Sequence, residues 1–381
     1  MNAPRGPTRS IFRSLVALGL LIALSVAPVL GASSGTAASL VVPEILARVP
    51  GSRTVFMVDL AGCRQLRCLR LYRTSVSAST FSAVSLPPLS AVSGSLTGDL
   101  RRLVFATSMV GYALVGESLP ARLYETGDGA RTWRRVTIGP GESILGLTVS
   151  PSSIYVVTAH CSPSGDACRR YLVSRSTLRA RAWTSTTLPH AGTSEVYDGE
   201  FDPNVGAYGN DLWVSEMTPA GSTIFASHDG GTSYSAIAAN KLASVSGCAL
   251  TAVSRTSLWA QCPTGMMASF FHSGNGGVSW SNVSLLPFAG TGGGAFDPVS
   301  ATLAYLAYGV SQPFVRVGGS GHHVTTVEKL TCSHGNASID ALVFTDREHG
   351  LAICTIPYGT NDSVLLRTTD GGVRWVRVRV G

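Results

Sequence analysis

Carboxylates, histidines and cysteines are where chemistry would begin in this chain. Glu195, Asp198, Glu200 and Asp202 lie close together in sequence, and two carboxylates facing one cleft are the equipment of a glycoside hydrolase. Asp202, however, belongs to the turn-like run Phe201-Asp-Pro-Asn204, and the other three alternate along an extended segment, so they do not all face one way. A solvated acidic loop is the reading that follows. The histidines include the neighbours His322 and His323 but form no HExxH and no Ser-His-Asp arrangement; His323 is read as part of a turn. Gly290-Thr-Gly-Gly-Gly-Ala295 lacks the Lys-Ser/Thr of a phosphate loop and reads as a connection. The eight cysteines fall in local pairs, Cys63 with Cys68, Cys161 with Cys168, Cys248 with Cys262 and Cys332 with Cys354. None has the CxxC or Cys/His spacing of a zinc site, so disulfides are expected, with no metal and no cofactor.

Pairing of that kind needs an oxidising compartment, and the amino terminus fits one. Arg5, Arg9 and Arg13 precede the apolar run Leu15 to Leu30, which is followed by small residues. This is the layout of a secretory signal over residues 1–32, with cleavage after Ala32; an uncleaved anchor is the alternative, and the only membrane contact expected. Residues 40–381 then form a single domain outside the cytoplasm, secreted or at the cell surface. The formal charge of +7 includes those three arginines; beyond residue 32 there are 26 basic against 22 acidic residues, with no basic block. A nucleic-acid partner is therefore not expected.

The elements that must position any site declare themselves by repetition. Thr126-Gly-Asp-Gly-Ala-Arg-Thr-Trp133, Ser227-His-Asp-Gly-Gly-Thr-Ser-Tyr234, Ser273-Gly-Asn-Gly-Gly-Val-Ser-Trp280 and Thr368-Thr-Asp-Gly-Gly-Val-Arg-Trp375 share one pattern. Asp128, Asp229, Asn275 and Asp370 can fold back onto backbone N–H groups, glycine supplies positive φ, and Trp133, Tyr234, Trp280 and Trp375 pack under the turn. Degenerate copies begin at Thr74, Ser176 and Val317. The third positions then fall at 76, 128, 178, 229, 275, 319 and 370, a period near 50. Ahead of each copy stands an apolar run, led by Phe56, Tyr112, Tyr155, Trp213, Trp259, Tyr305 or Leu351, that reads as a buried second strand. One repeat per four-stranded blade predicts an all-β, seven-bladed β-propeller, or six blades if the copy at 317–324 is only a loop. Closure must then bring residues 41–60 beside residues 365–381.

The repeated turn resembles the Asp box of bacterial neuraminidase (BNR) repeats, so the chain looks like a sialidase-like propeller; similar propellers occur in sortilin-type receptors and in photosystem II assembly. The resemblance spans the chain after the signal. Sialidases of this kind use an arginine triad, a Tyr–Glu nucleophile pair and an Asp acid/base, and Arg48-Val-Pro50 is a near match to their first arginine. No other triad member can be assigned, although Arg316 and Tyr358 are available. The runs Phe201-Asp-Pro-Asn204 and Phe296-Asp-Pro-Val299 resemble turns of sortilin-type and oligoxyloglucan-type propellers, placed between first and second strands. Two classes follow: a non-catalytic, monomeric propeller binding a protein or glycan, and a sialidase-like exo-glycosidase. The scaffold signatures favour the first. The expected binding face is the one carrying the second-to-third and fourth-to-first connections, with Glu195 and Tyr197 as its leading residues.

Overall fold

Short runs of β-branched and aromatic residues separated by Gly, Ser, Asn and Asp turns give antiparallel strands throughout. In the computed structural model these form seven sheets in which each strand pairs with the next in sequence. The structure describes residues 42–380 apart from 63–66, 90–99, 117–120, 140–142, 162–166, 190–193, 196–203, 219–220, 238–241, 243–247, 265–266, 284–294, 308–313, 319–322, 328–337 and 356–362. All of these belong to the compact unit Ser39–Gly381; the signal segment 1–32 lies outside the described residues. The blades span residues 42–84, 100–136, 143–187, 204–237, 249–282, 295–327 and 338–378, and are numbered 1 to 7 here. Each has four antiparallel strands, and in blade 3 a short fifth strand, Ser194–Glu195, pairs with the third, Ala167–Thr177. The protein is thus a seven-bladed β-propeller with no α-helix among the described residues. The copy at 317–324 does belong to a blade: the strands Phe314–Gly318 and His323–Val327 flank it. His323 opens the fourth strand, opposite Gly318, and is not a turn residue.

The core lies between blades. Seven buried apolar clusters occur, one per interface, including the interface of blade 7 with blade 1. The second-strand aromatics supply much of this, with Phe56, Tyr112, Tyr155, Trp213, Trp259 and Tyr305 all fully buried. Each lies across the gap to the following blade, and several end in a hydrogen bond there. Tyr112 Oη donates to Leu178 O. Trp213 Nε1 donates to Gly276 O at 2.9 Å, Trp259 Nε1 to Ser300 O at 3.2 Å, and Tyr305 Oη to Arg347 O at 2.6 Å. Phe56, which has no polar tip, stacks on Phe105 with ring centroids 3.5 Å apart.

Ring closure is made by packing and side-chain bonds, since every blade is built from four consecutive strands. Val55 and Met57 of blade 1 share a cluster with Leu351, Ile353 and Leu365 of blade 7, with Val378 and Val380 against it. Arg48, at the end of the first strand of blade 1, spans two interfaces. It pairs with Asp297 of blade 6 at 3.2 Å, donates to Pro298 O at 2.7 Å, and donates to Phe344 O of blade 7 at 3.2 Å. Asp297 also accepts from Phe344 N. Burial pushes its carboxyl up while Arg48 opposes the shift. The Phe296-Asp-Pro run is therefore not a turn: it lies inside the first strand of blade 6, Ala295–Ser300, with a register shift after Pro298. Its counterpart at 201–203 lies outside the described residues.

Arg48→Ala should leave the Asp297 carboxylate buried without its cation. It is expected to lower the unfolding free energy by roughly 2–4 kcal/mol, below the full cost of breaking a buried pair because Arg48 is partly exposed. Urea denaturation of the two proteins measures this, and an unchanged midpoint would mean that closure does not depend on the bridge.

Candidate functional site

The four Asp-Gly motifs form the connection between third and fourth strands in blades 2, 4, 5 and 7. In blade 4, Asp229 Oδ1 accepts from Thr232 N and Ser233 N, Oδ2 accepts from Ser233 Oγ at 2.6 Å, and Ser227 Oγ donates to Oδ1. Asp128 and Asp370 hold their turns in the same manner. Thr132 and the other donors hold the Asp128 carboxyl down at about 2, and the Ser233 hydroxyl holds Asp229 well below the usual carboxylate range. These carboxylates are occupied within their own turns. The fifth position takes positive φ even where it is not glycine, at Ala130 (67°) and Ala180 (42°). At Gly372 (89°) an added Cβ would lie 2.2 Å from Phe314, so close approach as well as backbone shape calls for glycine. Trp280 and Trp375 donate from Nε1 to Gly277 O and Gly372 O within their own turns, whereas Trp133 donates to Ser85 O of blade 1.

A second layer of inter-blade bonds comes from the residue just ahead of the motif in blades 2, 3 and 7. Arg175 donates to Gly230 O of blade 4 at 3.0 Å, and Arg367 to Ala78 O of blade 1 at 2.9 Å. In blade 2 the position is Glu125, which pairs at 2.7 Å with Arg134, and Arg134 donates in turn to Arg179 O of blade 3. Motif reading did not single these residues out. Their fixed place before the repeat, Arg73, Arg175, Arg316 and Arg367 among them, is the signal that was available.

Two open grooves lie on this turn-bearing face where such a bridge is missing. Between blades 1 and 2, Arg73 reaches over Gly129 and makes no hydrogen bond among the described residues. A groove of about 690 Å³ opens there, lined by Arg73, Arg131 and the Ser/Thr-rich third and fourth strands of blade 1. No Asp or Glu lines it, and neither arginine is ion-paired among the described residues. Its walls are joined by Ser85 N to Ala130 O at 2.8 Å and by the Trp133 bond. Between blades 4 and 5 the position ahead of the motif is Ala226, too short to bridge, and a groove of similar volume opens beside it.

Arg48, the match to the first sialidase arginine, donates to the protein's own carbonyls and carboxylate and belongs to the closure. Tyr197 lies outside the described residues, as does the side chain of Glu195. The Glu195 backbone pairs with Ala167, one residue from the Cys161–Cys168 disulfide. Cys248 and Cys262 are also joined. Cys354 is disulfide-bonded, while its expected partner Cys332, Cys63 and the side chain of Cys68 lie outside the described residues. Among the described residues no cluster of His, Cys, Asp or Glu could hold a metal.

One buried acid escaped the sequence reading because it sits in a run assigned to a buried strand. Glu216, in the second strand of blade 4, is only 2% exposed, and both carboxyl oxygens lack a hydrogen-bond partner among the described residues. Alternation puts it on the face of Leu212 and Val214, which pack against Tyr155, Val157 and Tyr171 of blade 3. Burial pushes its carboxyl up to about 7.

No family model matches the sequence, and no curated protein does either. Solved structures do match. YCF48 bound to a D1 peptide is 15% identical, covering 73% of this chain and 80% of that one, with a TM-score of 0.50. YCF48 from Cyanidioschyzon merolae is 16% identical over 73% of this chain and 85% of that one, with a TM-score of 0.49. A puromycin-hydrolyzing peptidase of Mycobacterium tuberculosis is 12% identical with a TM-score of 0.56, and covers 89% of this chain but 53% of the peptidase. At these identities the likeness is one of fold. The resemblance to sialidases rests on the turn motifs alone.

For Glu216 the folded state favours the neutral acid. Its contribution is complete below the ordinary carboxyl value of 4.5 and is lost as pH rises through about 7. The stability of Glu216→Gln relative to the native chain should therefore rise by roughly 3 kcal/mol between pH 4.5 and 8, at 1.36 kcal/mol per pK unit. Chemical denaturation across that range measures it, and a constant difference would show the carboxyl to be solvated.

Proposed function

We propose that the protein is an exported, non-catalytic binding propeller that takes an extended, acidic segment of a partner protein into the groove between blades 1 and 2. The observation that carries this reading is the pair Arg73 and Arg131, two cations without anionic partners among the described residues, over a hydroxyl-lined groove with no acid in its described lining. Ordinary surface arginines stand beside carboxylates, and a groove that withholds them is complementary to negative charge. The groove walls are tied by backbone bonds, so little ordering would be lost on binding. That a propeller of similar fold has been solved with a bound peptide supports a protein ligand. The Cys161–Cys168 and Cys248–Cys262 disulfides support an oxidising compartment, consistent with a signal at residues 1–32. Partner contact on the opposite face, around Glu195 and Tyr197, is a second reading favoured by the backbone bridge beside the Cys161–Cys168 staple.

Acidic and neutral peptides of equal length, titrated against the native protein and against the Arg73→Glu/Arg131→Glu variant, test the groove. Only the acidic peptides should bind, with affinity falling as salt rises. The double variant should lose about tenfold or more while melting at the native temperature. Equal binding by the variant would remove the groove from the function, and hydrolysis of a fluorogenic sialoside by the native protein would replace the binding reading with a glycosidase.

A further inference from the structure

The groove between blades 4 and 5 differs from the first in chemistry, and what it lacks is informative. Three of the four Asp-Gly turns carry a carboxylate at their third position, whereas the turn bordering this groove carries Asn275. The amide does the same mechanical work. Its Oδ1 accepts from Ser273 Oγ at 3.0 Å and from Ser279 N at 2.9 Å, and its Nδ2 donates to Ser279 Oγ. The turn is kept and the negative charge is removed.

Two basic side chains held by one buried acid line the same groove, His228 on blade 4 and Arg255 in the blade 5 turn next to that of Asn275. Asp211, 8% exposed, accepts from His228 Nδ1 at 2.6 Å and pairs with Arg255 Nε at 3.6 Å. A carboxylate can only accept, so Nδ1 carries the hydrogen. Asp211 approaches Arg255 through Nε, and among the described residues the two terminal guanidinium nitrogens make no hydrogen bond, so both can serve a second, bidentate partner. The Arg255 side chain is 70% exposed. Beside these lie Ile237 and Val278, the latter one of the few large apolar side chains exposed among the described residues.

We propose that this groove is a binding site for a carboxylate attached to an apolar body, with Arg255 holding the carboxylate and Ile237 and Val278 covering the apolar part. The ligand chemistry is that of an acylated aliphatic amino acid, free or at the carboxyl terminus of a chain. The site is separate from the groove of Arg73 and Arg131 and does not depend on the function assigned there.

Two substitutions test it, one on the exposed turn at Asn275 and one at Ala226, a buried position of the seam between blades 4 and 5. Asn275→Asp restores the residue that three sister turns use, and adds one negative charge to the lining of the groove that Arg255 shares. Ala226→Arg fills the slot that Arg175 and Arg367 fill at other interfaces. Calorimetric titration of the full chain with N-acetyl-leucine, N-acetyl-leucine amide, and a hexapeptide ending in leucine as acid or amide provides the readout. Saturable binding of an acid, with its amide about tenfold weaker or worse and the acid equally weakened in both variants, is the expected result. Binding of the hexapeptide acid alone assigns the ligand to a chain terminus; binding of both acids shows that the free acid suffices. Equal binding of acid and amide, no binding of either acid, or native affinity in a folded Asn275→Asp protein overturns the proposal.

Discussion

Everything in this molecule depends on blades that cannot bury themselves. A four-stranded sheet has two apolar faces, and here each face finds cover only in the neighbouring blade, so the core is seven separate seams and not one centre. Such a chain gains its last seam only when the ring shuts. Many rings shut by sharing a blade between the two ends of the chain; this one keeps every blade intact. The work passes to side chains: the cluster around Met57 and Ile353, the Arg367 bond to Ala78, and Arg48 reaching past blade 7 to Asp297.

Much of this was legible in the sequence because turns and seams repeat. A small residue, an Asp or Asn, a glycine and an aromatic recur at a spacing near fifty residues, and the apolar run ahead of each motif marks the buried strand. Even where the carboxylate is lost, as at Leu178 in blade 3, the small fifth residue Ala180 still takes positive φ, so the register was recoverable from degenerate copies. What was not legible depends on the register between blades. Asp297 looks like a turn residue locally, yet its carboxylate serves a bond to the next blade's Phe344 and an ion pair with an arginine about 250 residues away. Local pattern has no access to such partners. Glu216 was hidden for the opposite reason: alternation correctly placed it in a buried strand, and no pairing rule then said that it would stand alone.

The grooves follow from the same constraint. Each seam ends at the turn-bearing face, where the residue ahead of a motif meets the next blade's turn. A long side chain with a carbonyl in reach seals the seam, as Arg175 does over Gly230. In blade 2 Glu125 recruits Arg134 to do the same. With alanine at the position, as at Ala226, the seam stays open; with an arginine that finds no carbonyl, as at Arg73, it stays open and gains a charge. On the binding reading proposed above, capacity is a matter of which seam is left unsealed, and it can vary between blades without disturbing the turns on either side. A repeat architecture tolerates that variation because a lost bridge weakens one seam while the others hold the ring. These two grooves also differ in kind, since one presents two arginines without ion pairs among the described residues, set among hydroxyls, and the other a single arginine paired with Asp211 beside exposed apolar groups. The first suits an extended chain bearing several charges, and the second a compact ligand with one charge and a greasy end.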